Sequence, residues 1–396
     1  MVEVGRRAAL GALGLSGAAA LLPQIGTASI RGSGPSRPIT TDFADKHTML
    51  VLRQRAPLLE TPFDVFDKSV FTPNDRFFVR WHYSDIPLEV DAAGFRLKID
   101  GAVRQPRALS LAELLQMPRV EVNAVNQCSG NSRALFSPRV PGAQWGNGAI
   151  GNARWTGVRL KDVLAVAGVS AGARRVRFAG LDRPPEGADW FAKSLDIDHA
   201  LDGEVLVAFA MNGKALPLLN GFPLRLVVPG WYSTYWIKAL GHIEVLTGED
   251  DNFWMAKAYR IPTTPTASVI PGAKDFPTEP ISRMVPRSFF TSHAGDIAVQ
   301  RGAPIDLRGI AMGGASAIAR VELSLDGKSW QAATLGRDHG TYSLRAWSAR
   351  LTPAIGSHAL RLRCTNATGQ TQTSTPVWNP SGYMLNTIET RRVTVA

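Results

Sequence analysis

The sequence predicts an α+β domain followed by an all-β sandwich. Three observations predict it. From about Thr72 to Pro262, apolar residues recur with both strand and helix periods. A stretch rich in Pro, Thr and Ser then fills 263–280. Beyond it the helical period disappears, and short β-rich runs return at turn-separated intervals. The chain has 396 residues, more than one ordinary domain needs. With 45% hydrophobic and 19% charged residues, its composition is that of a globular protein, not a disordered one.

Residues 1–35 differ from the rest. Arg6-Arg7 precedes an apolar, small-residue run from Ala8 to Leu22, and Pro23 and polar sequence follow. This run is shorter than the roughly 20 residues of a membrane-spanning helix. A charged start, an apolar middle and small residues read as an export signal, and the paired arginines point to the twin-arginine route. That route carries finished folds, which suits a protein with a cofactor inserted before export. Periplasmic localisation is the expectation. No other segment is long and apolar enough to span a bilayer, so no membrane span is expected in the mature chain.

In the first domain, Phe95–Val103 alternates as a strand, and Leu109–Met117 reads as a helix starting from Ser110. Val120–Gln127 reads extended and Leu160–Ala167 helical. Val176–Gly180, Val205–Phe209, Leu224–Val228 and His242–Leu246 are β-rich runs between Gly/Pro turns. In the second domain, Ile305–Ile310, Arg320–Leu325, Ala346–Leu351, Leu360–Cys364 and Arg392–Val395 read as strands, with Asp326-Gly327 as a hairpin turn.

Lys plus Arg number 44 against 33 Asp plus Glu, a net charge of +11. Such a balance favours anionic partners. The basic residues are scattered, with no run interleaved with aromatics, so nucleic acid is not expected. Two cysteines, Cys128 and Cys364, exclude a cysteine-rich zinc or iron–sulfur site and a Cys-x-x-Cys-His haem attachment. An oxidising compartment permits a disulfide between them.

The densest chemistry is Asn126-Gln-Cys128-Ser-Gly-Asn-Ser-Arg133. A strand ends here in a Ser/Gly/Asn turn, which exposes a thiol, and Arg133 favours its thiolate. A thiolate suits a nucleophile or a soft transition metal. Taken alone, a cysteine in such a turn is more often structural or in a disulfide than functional. A Cys/His hydrolase would need a histidine such as His82, His199 or His242, and nothing in the sequence ties one to Cys128. Gly146-Asn-Gly148-Ala-Ile-Gly151 matches the dinucleotide fingerprint in letters, but no strand precedes it and no helix pattern follows.

Several segments together resemble the sulfite oxidase family of molybdopterin oxidoreductases, with bacterial periplasmic sulfite dehydrogenases the nearest likeness. They are Phe77-Phe-Val-Arg80-Trp-His82, Cys128-Ser-Gly-Asn-Ser-Arg133 and the run from Trp145 to Trp155. Gly180-Leu-Asp182, Asn220-Gly-Phe-Pro-Leu-Arg225, Val228-Pro-Gly230, Lys238, Tyr259 and Trp378-Asn379 follow in order. The resemblance implies a sulfite-oxidase-type molybdopterin domain over 36–262, a linker over 263–280 and an immunoglobulin-like dimerisation domain over 281–396. It implies molybdenum bound by one pyranopterin and by Cys128, with no haem in this chain. His82, Asp182, Asn220, Arg225, Trp236, Ile237 and Lys238 fall at pterin-holding positions. Arg80, Arg133, Tyr259, Trp145 and again His82 fall at substrate-pocket positions. Tyr259 is preferred to Tyr232 and Tyr235 because it precedes the linker, as the family's catalytic tyrosine does.

The implied activity is oxidation of sulfite to sulfate, with a c-type cytochrome or haem subunit as acceptor and a homodimer as the assembly. A molybdopterin-dependent reductase or oxidase of another small oxyanion or sulfoxide is the alternative. A non-catalytic exported binding protein and a thiol hydrolase are rivals from other classes. Animal members carry a further arginine after Trp-Asn, and Trp378-Asn-Pro-Ser381-Gly-Tyr-Met-Leu385 has none.

Overall fold

Antiparallel pairing dominates the architecture. The computed structural model describes residues 39, 40, 43, 45, 46 and 48–396. The expected export leader, 1–35, lies outside the described residues. A four-stranded sheet runs Ile39–Thr40, Met49–Arg53, Leu58–Glu60, Val79–Arg80. A five-stranded sheet has the order Ala192–Asp196, Arg175–Gly180, Leu240–Leu246, Arg96–Gly101, Arg107–Ser110. Another is ordered Lys214–Ala215, Leu206–Met211, Ile150–Arg159, Arg119–Gln127, with Arg225–Val227 paired to Leu206–Met211.

The alternating burial along Arg175–Gly180 shows why the period-2 runs became strands: every second side chain enters the core. The helix expected from Ser110 forms as Leu111–Gln116. Ser110 Oγ accepts from Glu113 N, and Glu113 returns a carboxylate oxygen to Ser110 N, a reciprocal cap. It starts two residues later than expected, because Arg107–Ser110 is an edge strand against Arg96–Gly101. The helix at Leu160–Ala167 has the expected bounds. Strand Ile150–Arg159 was not anticipated, since its Gly and Asn residues mask the period.

Residues 281–396 form two facing sheets. One is ordered Arg287–Phe290, Ile305–Met312, Arg345–Leu351, Thr334–Leu335. The other is ordered Ile297–Val299, Glu389–Val395, Gly356–Asn366, Ile318–Ser324, Gln331–Ala332. Leu307, Val321, Trp347, Leu362, Cys364 and Val393 fill the space between them. Cys364 is there as a core thiol, and burial pushes it up to about 12. It forms no disulfide with Cys128. Each is free and belongs to a different core.

The Pro-rich stretch between the domains is pinned at both ends. Arg260–Pro262 pairs with Thr278–Pro280, and Val269 N donates to Trp378 O at 2.8 Å. The first core also takes in Phe289, Ile310, Met312 and Leu344 from the sandwich, so the two domains share one packed boundary.

Candidate active site

Cys128 sits where the strand Arg119–Gln127 stops. Its neighbour Ile150–Arg159 runs antiparallel to it, so the glycine-rich loop 146–149 lies beside the cysteine turn. Cys128 N donates to Ala149 O at 2.9 Å, and Ser132 N to Gly146 O at 2.7 Å. Ser132 is left-handed, at φ 67°, which lets the chain turn sharply. The buried carboxylate of Glu60 receives Gly146 N and Gly148 N at 3.1 and 3.0 Å. The fingerprint-like glycines therefore grip an internal acid and approach backbone closely. A Cβ on Gly148 would lie 2.0 Å from Thr61 O.

Around this turn the structure assembles residues from five segments. His82 Nε2 and Tyr259 Oη are 2.7 Å apart, and Phe191 stacks on the imidazole at 3.5 Å between ring centres. Burial, with Arg80 and Lys238 next, drives the His82 pKa well below its ordinary value, so the ring is neutral at pH 7. Burial also raises Tyr259, partly offset by Arg80. Arg80 Nη1 is buried without a hydrogen-bond partner.

Arg225 is buried and lies over Trp155 and Trp236, at 5.3 and 5.9 Å. It donates to Asn220 O at 3.0 Å and Asn126 Oδ1 at 3.1 Å, while its Nε has no partner. Burial lowers it to about 9. Lys238 lies over Trp81 at 4.4 Å, and burial together with Arg225 lowers it. Asp182 is raised by burial, with Lys238 pulling it back. Trp236 and Ile237 are buried, with Trp236 Nε1 donating to Trp231 O.

Arg133 is among the charged neighbours of Tyr259, but its guanidinium is committed to backbone oxygens. It is buried, and Nε and Nη2 donate to Ser381 O at 3.3 and 3.0 Å, Nη1 to Ala143 O at 3.2 Å. The guanidinium fastens the sandwich domain to the cysteine turn. Trp145 is a core residue with no exposed surface.

Models of two families match this chain: the oxidoreductase molybdopterin binding domain over residues 83–254 and the Mo-co oxidoreductase dimerisation domain over 281–395. Mitochondrial sulfite oxidase of Homo sapiens is 32% identical over 375 residues, covering 89% of this chain and 67% of that one. The chain belongs to the sulfite oxidase family. Sulfite oxidase of Arabidopsis thaliana is 31% identical, covering 74% of this chain and 78% of that one. In fold, the chain is similar to the sulfane dehydrogenase SoxCD from Paracoccus pantotrophus. The TM-score is 0.74 at 26% identity, with 86% of this chain and 85% of that chain covered.

The residues fit the molybdopterin that the sulfite oxidase family binds. Buried polar atoms without partners occur on the residues flanking Cys128, Asn126 Nδ2 and Ser129 Oγ, on Arg225 Nε, whose guanidinium bonds Asn126, and on Arg80 Nη1. Native interiors rarely leave so many groups unpaired in one place, and a ligand rich in acceptors satisfies the donors. Lys238 has Asp182 as its acid, whereas Arg225 is a buried cation with only neutral oxygens as acceptors; an anionic phosphate would restore the balance. Cys128 is the single thiol here, and it is unbridged.

Sequence reasoning missed several members of this sulfite oxidase site. Lys46 is buried and donates to Phe77 O and Asn220 Oδ1, fixing the amide next to Arg225's anchor. Lys193 is buried, donates to Trp254 O at 2.7 Å, and lies over Tyr235 and Tyr259 at 4.8 and 5.5 Å. Tyr383, from the sandwich domain, stacks on Tyr259 at 5.5 Å and 4°. Lysines in apolar surroundings look like strand-edge charges in sequence, and only the tertiary neighbours reveal them.

Those lysines have a consequence for stability. Burial lowers Lys46 and Lys193 to about 7, against 10.5 for an exposed lysine. Between these values the unfolded chain binds more protons, so stability rises with pH through the window and falls as pH returns to 7. Each lysine contributes up to about 1.4 kcal/mol per pH unit there. Thermal melts of cofactor-free protein should rise from pH 7 to 9. The rise should shrink in Lys46→Met and Lys193→Met; equal slopes in all three would contradict the burial.

Proposed function

We propose that this chain oxidises sulfite to sulfate in the periplasm, using molybdenum held by Cys128 and one pyranopterin. A c-type cytochrome takes the electrons, and a homodimer forms through 281–396. The observation that carries the reading is Arg80, a half-buried arginine whose Nη1 is buried without a partner, beside the His82–Tyr259 pair. A small hydrated anion is captured only if fixed donors replace its water, and an unspent guanidinium does that. The dimerisation-domain match supports the homodimer.

The overall change is sulfite plus water to sulfate, two protons and two electrons. When bound, the molybdenum cofactor supplies the two-electron acceptor and the oxygen-transfer chemistry. Arg80 holds and orients the anion's oxygens. His82 is neutral, and in the tautomer protonated on Nε2 it donates to Tyr259 Oη. The phenol O–H is then free for a substrate oxygen. Phe191, stacked on His82, excludes water from that side. Arg225 and Lys238 would hold the pterin phosphate, and Asn220 keeps Arg225 in place.

A metal analysis joined to a sulfite-plus-cytochrome assay tests the reading. Arg80→Gln should keep its molybdenum and lose about a thousandfold in kcat/KM for sulfite, as truncation of a desolvated charge commonly does. Wild-type kinetics in that variant would refute the role. The same assay on periplasmic extracts, with an Arg6/Arg7→Lys/Lys control, tests export. Light scattering tests the dimer.

One observation favours a second reading. Arg133 is committed to Ser381 and Ala143, leaving fewer free cations for a dianion. A less charged sulfane sulfur suits such a pocket, and the similarity to a sulfane dehydrogenase points the same way. Turnover of a thiol-bound persulfide in preference to sulfite would decide for it.

A further inference from the structure

The loop after Trp378 enters the site from the other domain. Asn379 shapes it: its Nδ2 donates to Ala267 O and Tyr383 O at 3.0 and 2.9 Å, and its Oδ1 accepts from Tyr383 N at 3.1 Å. Gly382 has φ +61°, and a Cβ there would lie 2.9 Å from Arg133 Cγ. Met384 N donates to Ser129 O at 3.1 Å, directly beside Cys128. Both neighbours of Tyr383 are thus locked against the cysteine turn.

The ring they present lies parallel to Tyr259 at 5.5 Å, with the Arg133 guanidinium over it at 5.2 Å. Among the described residues, Tyr383 Oη has no hydrogen-bond partner, and the side chain is half-buried. Burial pushes its phenol upward in pKa, with Tyr259, Arg133, Arg80 and Cys128 as its electrostatic neighbours. A phenol kept neutral and unpartnered among those groups is a spare donor.

We propose that Tyr383 is a substrate-positioning residue: its O–H binds an oxygen of the sulfur oxyanion, and its ring fixes Tyr259. This rests on the sulfite-oxidising reading and sharpens the substrate class. Arg80, Tyr259 and Tyr383 offer donors for an anion with three oxygens around sulfur. A sulfoxide has one oxygen and two carbon substituents, so it would leave two of the three donor groups unpaired.

The test uses the cofactor-loaded, full-length enzyme. Tyr383→Phe keeps the ring stack and removes the donor. The KM for sulfite should rise about tenfold with kcat within about twofold, and the Kd for sulfate, read by calorimetry, should rise by a similar factor. Tyr383→Leu loses the stack too, and its kcat should fall as well. A Phe variant that binds sulfate and sulfite as tightly as wild type overturns the proposal. A wild type that binds sulfate without oxidising sulfite sinks the functional reading alone, since sulfate binding still reports on Tyr383.

Discussion

Cys128→Ser is expected to fold, to melt within a few degrees of wild type, and to lose sulfite turnover by about a thousandfold or more. Its backbone position is set by bonds that serine also makes: Cys128 N to Ala149 O, and Asn131 N to Cys128 O. The side chain is small and the swap nearly isosteric. What changes is donor chemistry. A thiolate is a soft, readily deprotonated ligand, whereas a serine hydroxyl stays protonated and hard at neutral pH. Elemental analysis, a thermal melt and the cytochrome-coupled assay together check it. Turnover near the wild-type rate in a folded variant would remove the metal ligand from the account.

Arg225→Met is expected to separate cofactor binding from folding. The native guanidinium is buried between Trp155 and Trp236, with only neutral oxygens as acceptors. Without a phosphate, such a cation is an uncompensated buried charge, costly enough that burial lowers its pKa to about 9. Methionine fills similar volume without that cost. The cofactor-free variant should therefore melt no lower than cofactor-free wild type. It should also retain about a hundredfold less pterin, since hydrogen bonds to a charged group contribute roughly 1.5–3 kcal/mol each. Pterin fluorescence after oxidative release measures retention. A variant that keeps its pterin, or melts well below cofactor-free wild type, would show that Arg225 serves packing.

Helix starts and period-2 strands were legible in the sequence because they depend on neighbours along the chain. Ser110 with Glu113 caps a helix through local bonds, and the run around Val176–Gly180 alternates into one core. Strand Ile150–Arg159 escaped because its glycines serve close approach, not apolar period: Gly151 meets the Phe77 ring, and Gly157 meets the Val207 backbone. Arg80, His82, Cys128, Arg225 and Tyr259 were singled out by family likeness, and the fold brings them together. The arginine pair was not resolved by likeness alone. Arg80 has a free buried nitrogen, whereas Arg133 is bound to Ser381, a partner 248 residues away.

By itself, the sequence determined the two-domain order, the lone thiol at a strand end, the family and the basic residues in reach of it. Those follow from local periodicity and from residue types that few chemistries use. Tertiary structure decided which charges are buried, which donors stay unspent, and that Tyr383 crosses from the sandwich to stack on Tyr259. Desolvation and hydrogen-bond satisfaction are properties of a surrounded atom, and the surroundings here come from residues hundreds of positions apart.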